Sequence, residues 1–266
     1  MRIATWNVNS LRSRIERVEG LLERHQIDVL AVQETKARED QLPLMGLQSM
    51  GYEIAASGFN QWNGVAVISR VGIQDVTVGF DGAPGWAKDP TQPLETEARA
   101  IGATCGGIRM WSLYVPNGRK PDDPHYHYKL EWLARLHDAA TPWLSDGTVG
   151  TVLAGDWNIA PTDEDVFDIN RFATSTHVTP REREAFRRFL DSGYVDLVRP
   201  HVHGPDGFTY WDYYRQRFER NRGMRIDFLL ASPGLADRAT GAFVDREERG
   251  TKGTSDHAPV VVDLAD

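Results

Sequence analysis

The sequence predicts an α/β protein in which two similar half-layers pack sheet on sheet with helices outside. Short apolar runs alternate with helix-spaced apolar residues along the whole chain. Several of those runs stop at a short polar motif, and the motifs extend from Asn7 to His257 with no Gly/Ser linker or low-complexity segment between them. The halves also echo each other, since Thr5-Trp6-Asn7 and Asp156-Trp157-Asn158 both close an apolar strand. If groups from both ends of the chain serve one site, residues 1–266 form one compact domain.

The elements follow in order. Ile3-Ala4-Thr5 is the first strand-like run. Ile15, Val18, Leu21 and Leu22 mark one face of a helix over 12–25, which leads to a strand over 27–32. Further strands are expected at 65–69, 99–104, 108–115, 151–154, 226–230 and 260–263. A long helix is expected over 124–143 and another over 180–192. The second is well announced: Thr179 can cap it, Pro180 suits the first helical position, Glu182 completes a capping box and Gly193 stops it.

Hydrophobic residues at 41% and charged residues at 26% describe an ordinary globular protein able to bury a substantial core. No apolar stretch approaches the length of a membrane span, and Asn7 and Asn9 interrupt the N-terminal run before a signal-peptide core could form. The cytoplasm is the expected compartment. The single cysteine, Cys105, excludes an internal disulfide and any Cys-rich zinc site, and its small, apolar surroundings predict a buried inert thiol. His125, His127, His201 and His203 lack the spacing of a zinc site and are read as solvated loop residues.

A net charge of -8 argues mildly against a partner as acidic as nucleic acid, where affinity rests on Lys and Arg. Distribution alters that reading. Arg215, Arg217, Arg220, Arg222 and Arg225 face only Glu219, with aromatics interleaved, immediately before Ile226-Asp227. That position favours contact with a phosphate backbone over a merely solvated loop.

The polar motifs at the strand ends are individually ordinary, because Asp and Asn favour such places by bonding local backbone. Their conjunction supplies a hard-cation site, a carboxylate-oriented imidazole and neutral donors for an anion, the inventory of metal-assisted phosphodiester hydrolysis. Glu34, in Gln33-Glu34-Thr35-Lys36 after a buried strand, is the first metal ligand, with Asp256 and Asn9 as further candidates. Alone, Glu34 would be read as paired with Lys36 on the surface. Asp227 and His257 form a dyad in which the carboxylate fixes the imidazole. His257 then serves as general base on water or, if protonated, as a clamp on the phosphate, and both roles suit the sequence. Asp156 and Asn158 share a face if their strand continues, and together can hold an attacking water or a departing alkoxide. Asn7 can brace them. Tyr114 offers a phenol, and the turn after it offers Asn117 and Arg119 for phosphates.

These residues resemble the exodeoxyribonuclease III type of apurinic/apyrimidinic endonuclease, within the endonuclease/exonuclease/phosphatase superfamily, and are most similar to its bacterial members. The resemblance rests on Trp6-Asn7-Val8-Asn9-Ser10-Leu11-Arg12, Gln33-Glu34-Thr35-Lys36, Tyr114-Val115-Pro116-Asn117-Gly118, Gly155-Asp156-Trp157-Asn158, Arg225-Ile226-Asp227 and Ser255-Asp256-His257-Ala258-Pro259, in order along essentially the whole chain. It implies a four-layered α/β sandwich of two packed mixed sheets flanked by helices. It also implies a magnesium ion, with manganese as a possible substitute, and hydrolysis of double-stranded DNA 5′ to abasic sites together with trimming of recessed 3′ ends. Carried over by position, it makes Glu34 the metal ligand, Asp256 a metal-side or His-supporting carboxylate, and Asp156 the proton-handling group. Asn7 and Asn158 become orienters and Tyr114 a phosphate neighbour. Asn9 stands where some relatives have Asp. Tyr210, Met224 and Ile226, with Trp211 beside them, match an apolar pocket for an extruded baseless sugar, and Arg217, Arg220 and Arg222 are expected on the DNA backbone. The expected form is a monomer without membrane contact. Two rivals are a phosphatase of the same superfamily acting on inositol phosphates or lipids, and a non-catalytic DNA-binding protein. The second should lack one of Glu34, Asp156, Asp227 or His257, and all four are present.

Overall fold

A computed structural model describes residues 1–145 and 149–265. Its strands in chain order are β1 (Arg2–Asn7), β2 (Val29–Gln33), β3 (Glu53–Ser57), β4 (Val65–Ser69), β5 (Gln74–Val78), β6 (Ala100–Cys105), β7 (Ile108–Tyr114), β8 (Gly150–Asp156), β9 (Val195–Asp196), β10 (Asp227–Ala231), β11 (Ala239–Val244) and β12 (Val260–Leu264). They form two six-stranded sheets, ordered β11-β12-β1-β2-β4-β3 and β5-β6-β7-β8-β10-β9. Both are mixed: β1 and β2 run parallel in the first, β7 and β8 in the second, and the other pairings are antiparallel. The main helices are α1 (Leu11–His25), the short α2 (Met45–Ser49), α3 (Pro124–Ala140) and α4 (Pro180–Asp191).

Side-chain alternation along the strands builds four layers. Ile3, Val29, Ala31, Val65 and Val67 of the first sheet face inward and meet Ile101, Ala103, Met110, Val152, Ala154 and Leu229 of the second. On the outer face of the first sheet, Ala4, Trp6, Leu30 and Val32 receive Leu11, Val18, Leu21 and Leu22 of α1 and Leu47 of α2. On the outer face of the second, Leu113, Leu153, Phe228 and Leu230 pack with Trp132, Leu133 and Leu136 of α3 and Phe186 and Phe189 of α4. Interior strands are thus apolar on both faces, which is why they read as unbroken apolar runs. Among the described residues no helix is long and apolar enough to cross a membrane.

The capping box of α4 is present, with Thr179 and Glu182 bonded reciprocally. Two expectations need correction. The long helix ends at Ala140 rather than reaching 143, because Pro142 cannot continue the backbone ladder, and residues Pro142–Leu144 form a 3-10 turn instead. His125 and His127 lie on α3 rather than in a loop, and His125 is buried. It accepts the Gly118 N–H at 3.1 Å through Nδ1 and packs edge-on to Trp86.

Topology then sets the site. β1, β2, β7 and β8 finish at the edge of the sandwich where β10 and β12 begin, so Asn7, Gln33, Tyr114, Asp156 and Asp227 all emerge there. Gly155 is the tightest point of that edge. Its φ of +153° and its approach to the neighbouring strand leave no room for a side chain: a Cβ there would collide with the Leu113 carbonyl oxygen. Gly155→Ala is expected to lower unfolding stability by about 1–3 kcal/mol, read as a reduced urea midpoint, and to lower turnover by displacing Asp156. An unchanged midpoint would show that the β7/β8 approach tolerates a methyl group.

Candidate active site

Strand register brings three groups side by side on the second sheet. Asp156, last residue of β8, pairs with Tyr114 on parallel β7 and with Asp227 on antiparallel β10. The first sheet meets them through Asn7, whose Nδ2 donates to Asp156 Oδ2 at 2.9 Å and to Glu34 Oε1 at 2.8 Å. His257, just before β12, places Nδ1 2.9 Å from Asp227 Oδ2 and Nε2 3.8 Å from Asp156 Oδ2. Thr209 Oγ1 donates to the same Asp227 oxygen at 2.6 Å and accepts the Ile226 and Asp227 N–H groups. Trp6 Nε1 holds the His257 carbonyl at 3.0 Å, so the imidazole is fixed from its backbone as well.

The expected metal side is a chain of oxygen ligands. Glu34 and Asn9 both take left-handed φ values, +56° and +46°, which swing them out of the strand path. Lys36 Nζ lies 2.6 Å from both Glu34 Oε2 and Asn9 Oδ1, and Asn9 Nδ2 donates to Asp256 Oδ1 at 3.1 Å. The Glu34–Lys36 pair therefore exists, with a half-buried Glu34 at the site instead of out on the surface. Nearby, Asp156, Asp227 and His257 each place one ligand atom within 4.8 Å of the others. Asp227 Oδ1 is buried without a hydrogen-bond partner. An orphaned carboxylate oxygen of Asp227 beside further hard oxygen donors fits a divalent cation, so the carboxylates of this group could hold one in addition to Glu34.

Electrostatics separates the roles. Burial opposes ionisation of Glu34, but the charge of Lys36 and the hydrogen bonds from Asn7 and Lys36 outweigh it and keep its pKa below the ordinary value. Burial, helped by the charges of Asp227 and Glu34 and resisted by His257, raises the Asp156 pKa to about 7. Burial alone would strip the proton from His257, yet Asp227 and Asp156 carry its pKa up to about 10. Tyr114 is pushed well above its usual value by burial and by the charge of Glu34, so it stays a neutral phenol. An acid and a base with displaced pKa values in contact are the pattern of a proton-handling site.

The remaining expected residues divide into two groups. Asn158 lies beyond the end of β8 with φ +50°, so it does not share a strand face with Asp156; instead its N–H bonds Asp156 Oδ1 at 2.9 Å in a turn. Its side chain bonds Val115 O at 3.0 Å and accepts from Asn117 Nδ2 at 3.1 Å, which joins both amides to the site. Arg119 is exposed beside Asp123 and the Trp86 ring. Arg220 and Arg222 are exposed, and Arg217 is half-buried with its guanidinium 5.0 Å from the Phe167 ring centroid. Arg225 departs from the basic run: it is buried, paired with Asp196 and Asp165 and laid over Phe228, so it cannot reach a phosphate. Tyr210 is half-buried with its ring centroid 4.9 Å from that of His257, whereas Met224, Ile226 and Trp211 are buried. Trp211 has no exposed surface and packs instead with Phe208, Ala258 and Phe218.

Three further residues shape the site. Thr209 orders Asp227, Lys36 bridges the metal-side oxygens, and His177 stands at a strained φ of +81° with its pKa driven to about 3 by burial and the charge of Lys129. The charge of His257 also reaches His177. Lys36 was visible inside a motif, but nothing local marks Thr209 or His177.

The Endonuclease/Exonuclease/phosphatase family pattern matches residues 4–257. Exodeoxyribonuclease III of Haemophilus influenzae is 28% identical over 279 aligned positions, covering 98% of this chain and 98% of that protein. The solved 3′ phosphatase NExo from Neisseria, bound to a product DNA hairpin, is similar with a TM-score of 0.91 and 36% identity over 100% of both chains. An AP endonuclease from Archaeoglobus fulgidus gives 0.90 and 33%, again over 100% of both.

The dyad makes a spectroscopic prediction. With its pKa near 10, His257 keeps its proton below that value, so its ring NMR shifts should not titrate between about pH 6 and 8. Asp227→Asn removes the main charge that raises it, so proton loss should move down toward the neutral range. A His257 that titrates near its ordinary value in the unaltered protein would contradict the assigned dyad.

Proposed function

We propose, from the premise that the chain belongs to the Endonuclease/Exonuclease/phosphatase family, that it is a DNA-repair hydrolase cutting phosphate esters of double-stranded DNA. Its bonds are those 5′ to abasic sites and those holding nucleotides or blocking groups at 3′ ends, with magnesium as the ion and manganese as a substitute. It works as a single-domain monomer in the cytoplasm. The observation that carries the reading is Asp156, set between Tyr114 and Asp227 in register and tied through Asn7 to Glu34. The exposed arginines of the 215–222 segment suit a long phosphate backbone better than a single small inositol phosphate.

In this reading Asp156, with its pKa near neutrality, accepts the proton of the attacking water. His257 retains its own proton and directs Nε2–H at a phosphate oxygen, and the raised pKa supports the clamp over the base among its two sequence-compatible roles. Asp227 and Thr209 hold that ring in place. Asn158 and Asn117 orient water and phosphate, and the neutral Tyr114 donates to a phosphate oxygen. Glu34, with Asn9 and Asp256 beside it, would hold the divalent ion, which supplies charge neutralisation on the phosphate when bound.

One observation favours 3′ ends as the main substrate: of the residues expected to receive an extruded sugar, Met224, Ile226 and Trp211 are buried and only Tyr210 keeps part of its surface exposed. Three duplexes separate the readings, one with a single abasic analogue, one nicked with a 3′ phosphate, and one intact. With magnesium, the 3′-phosphate duplex should be processed fastest, the abasic duplex more slowly and the intact interior not at all. Glu34→Gln should reduce both activities by roughly two or more powers of ten while DNA binding changes far less. No hydrolysis of any DNA, beside turnover of an inositol phosphate, would sink the assignment.

A further inference from the structure

Behind the active site lies a fully buried ion pair that the chemistry above does not use. Lys129 of α3 and Glu182 of α4 have no exposed side-chain surface. The ammonium donates to Glu182 Oε1, to the Asn158 carbonyl at 2.7 Å and to the Asn117 carbonyl at 3.3 Å, so its three protons meet three acceptors. Glu182 Oε1 also accepts the His177 N–H at 2.9 Å and the Thr176 hydroxyl, whose oxygen lies 3.2 Å from the Asn117 carbonyl oxygen. The other Glu182 oxygen serves the helix cap at Thr179.

Buried ion pairs are weak sources of stability, because apolar residues of similar volume commonly do as well. What this pair supplies is geometry. The carbonyls of Asn117 and Asn158 are pinned to one ammonium while their side chains bond each other at 3.1 Å, and the Asn158 N–H holds Asp156. Asn158 sits at φ +50°, in the left-handed region that asparagine enters more readily than most non-glycine residues, and these bonds fix it there. We propose that Lys129 is a positioning residue for phosphoester hydrolysis: it fixes the Asn117 and Asn158 peptide groups so that their amides, and through Asn158 the Asp156 carboxylate, meet the phosphate in the reactive arrangement. This rests on the hydrolase reading above.

The test is the double variant K129M/E182Q, which keeps the volumes, leaves a Gln able to complete the capping box and removes both charges. It should unfold with a midpoint near that of the unaltered protein, bind the 3′-phosphate duplex within about twofold, and lose kcat by roughly 100-fold at unchanged KM. A folded double variant with kcat within about threefold of the unaltered enzyme would overturn the proposal. A second measurement does not depend on the variant folding. With isotope labels at Lys Nζ and at the Asn carbonyl carbons, NMR should show hydrogen-bond couplings from Lys129 to both carbonyls, with and without DNA, and their absence would also overturn it. An unaltered protein inert on all three duplexes would instead sink the hydrolase reading, on which the proposal depends.

Discussion

Asn7 ends the first strand of one sheet, and its side-chain N–H2 donates both to Glu34 beside it and to Asp156 on the other sheet. A single neutral amide therefore spans the two layers at the point where their polar groups meet. Two carboxylates brought this close in a buried site repel each other. The amide satisfies one oxygen of each without adding charge. Asn7 also accepts the Asn9 N–H through Oδ1 at 3.0 Å and the Ser255 hydroxyl through its carbonyl at 2.7 Å, so the metal-side loop and the His257 segment are aligned by the same residue. Displacing Asn7 would disturb every group around it.

Charge then does different work at different depths. His257 and Asp156 share a buried space in which the charge of each shifts the pKa of the other, whereas the exposed arginines near 215–222 lie at the surface, where their field is screened by salt. Arg225 shows how position overrides composition. It belongs to the same basic run, yet it points inward to Asp165 and Asp196 and anchors the segment that leads into Asp227.

The interior of the fold was legible and its margins were not. All eight strands read from apolar runs are interior, while β3, β5, β9 and β11, which were not read, are the four sheet edges. Every residue of β5 is exposed, and β9 is only two residues long, so neither carries the continuous apolar signal of a strand covered on both faces. The site shows the same division. Asn7, Glu34, Asp156, Asp227 and His257 stood at recognisable strand ends and do converge. Lys129, Thr209 and His177 act through partners distant in sequence, Lys129 through Glu182 on another helix and Thr209 through Asp227, and no local pattern announces such contacts. The capping box of α4 was readable from Thr179 and Glu182, but the second oxygen of Glu182, turned toward Lys129, was not.

The Asn7 amide is a neutral bridge between the sheets, and Asn7→Asp tests that directly because it keeps the shape and removes the donors. Single-turnover hydrolysis of a 3′-phosphate duplex by this variant, measured beside its DNA affinity and its unfolding midpoint, should show a rate lowered by roughly 100-fold or more with binding largely retained. A variant that folds, binds DNA and cleaves at the rate of the unaltered enzyme would contradict the bridge.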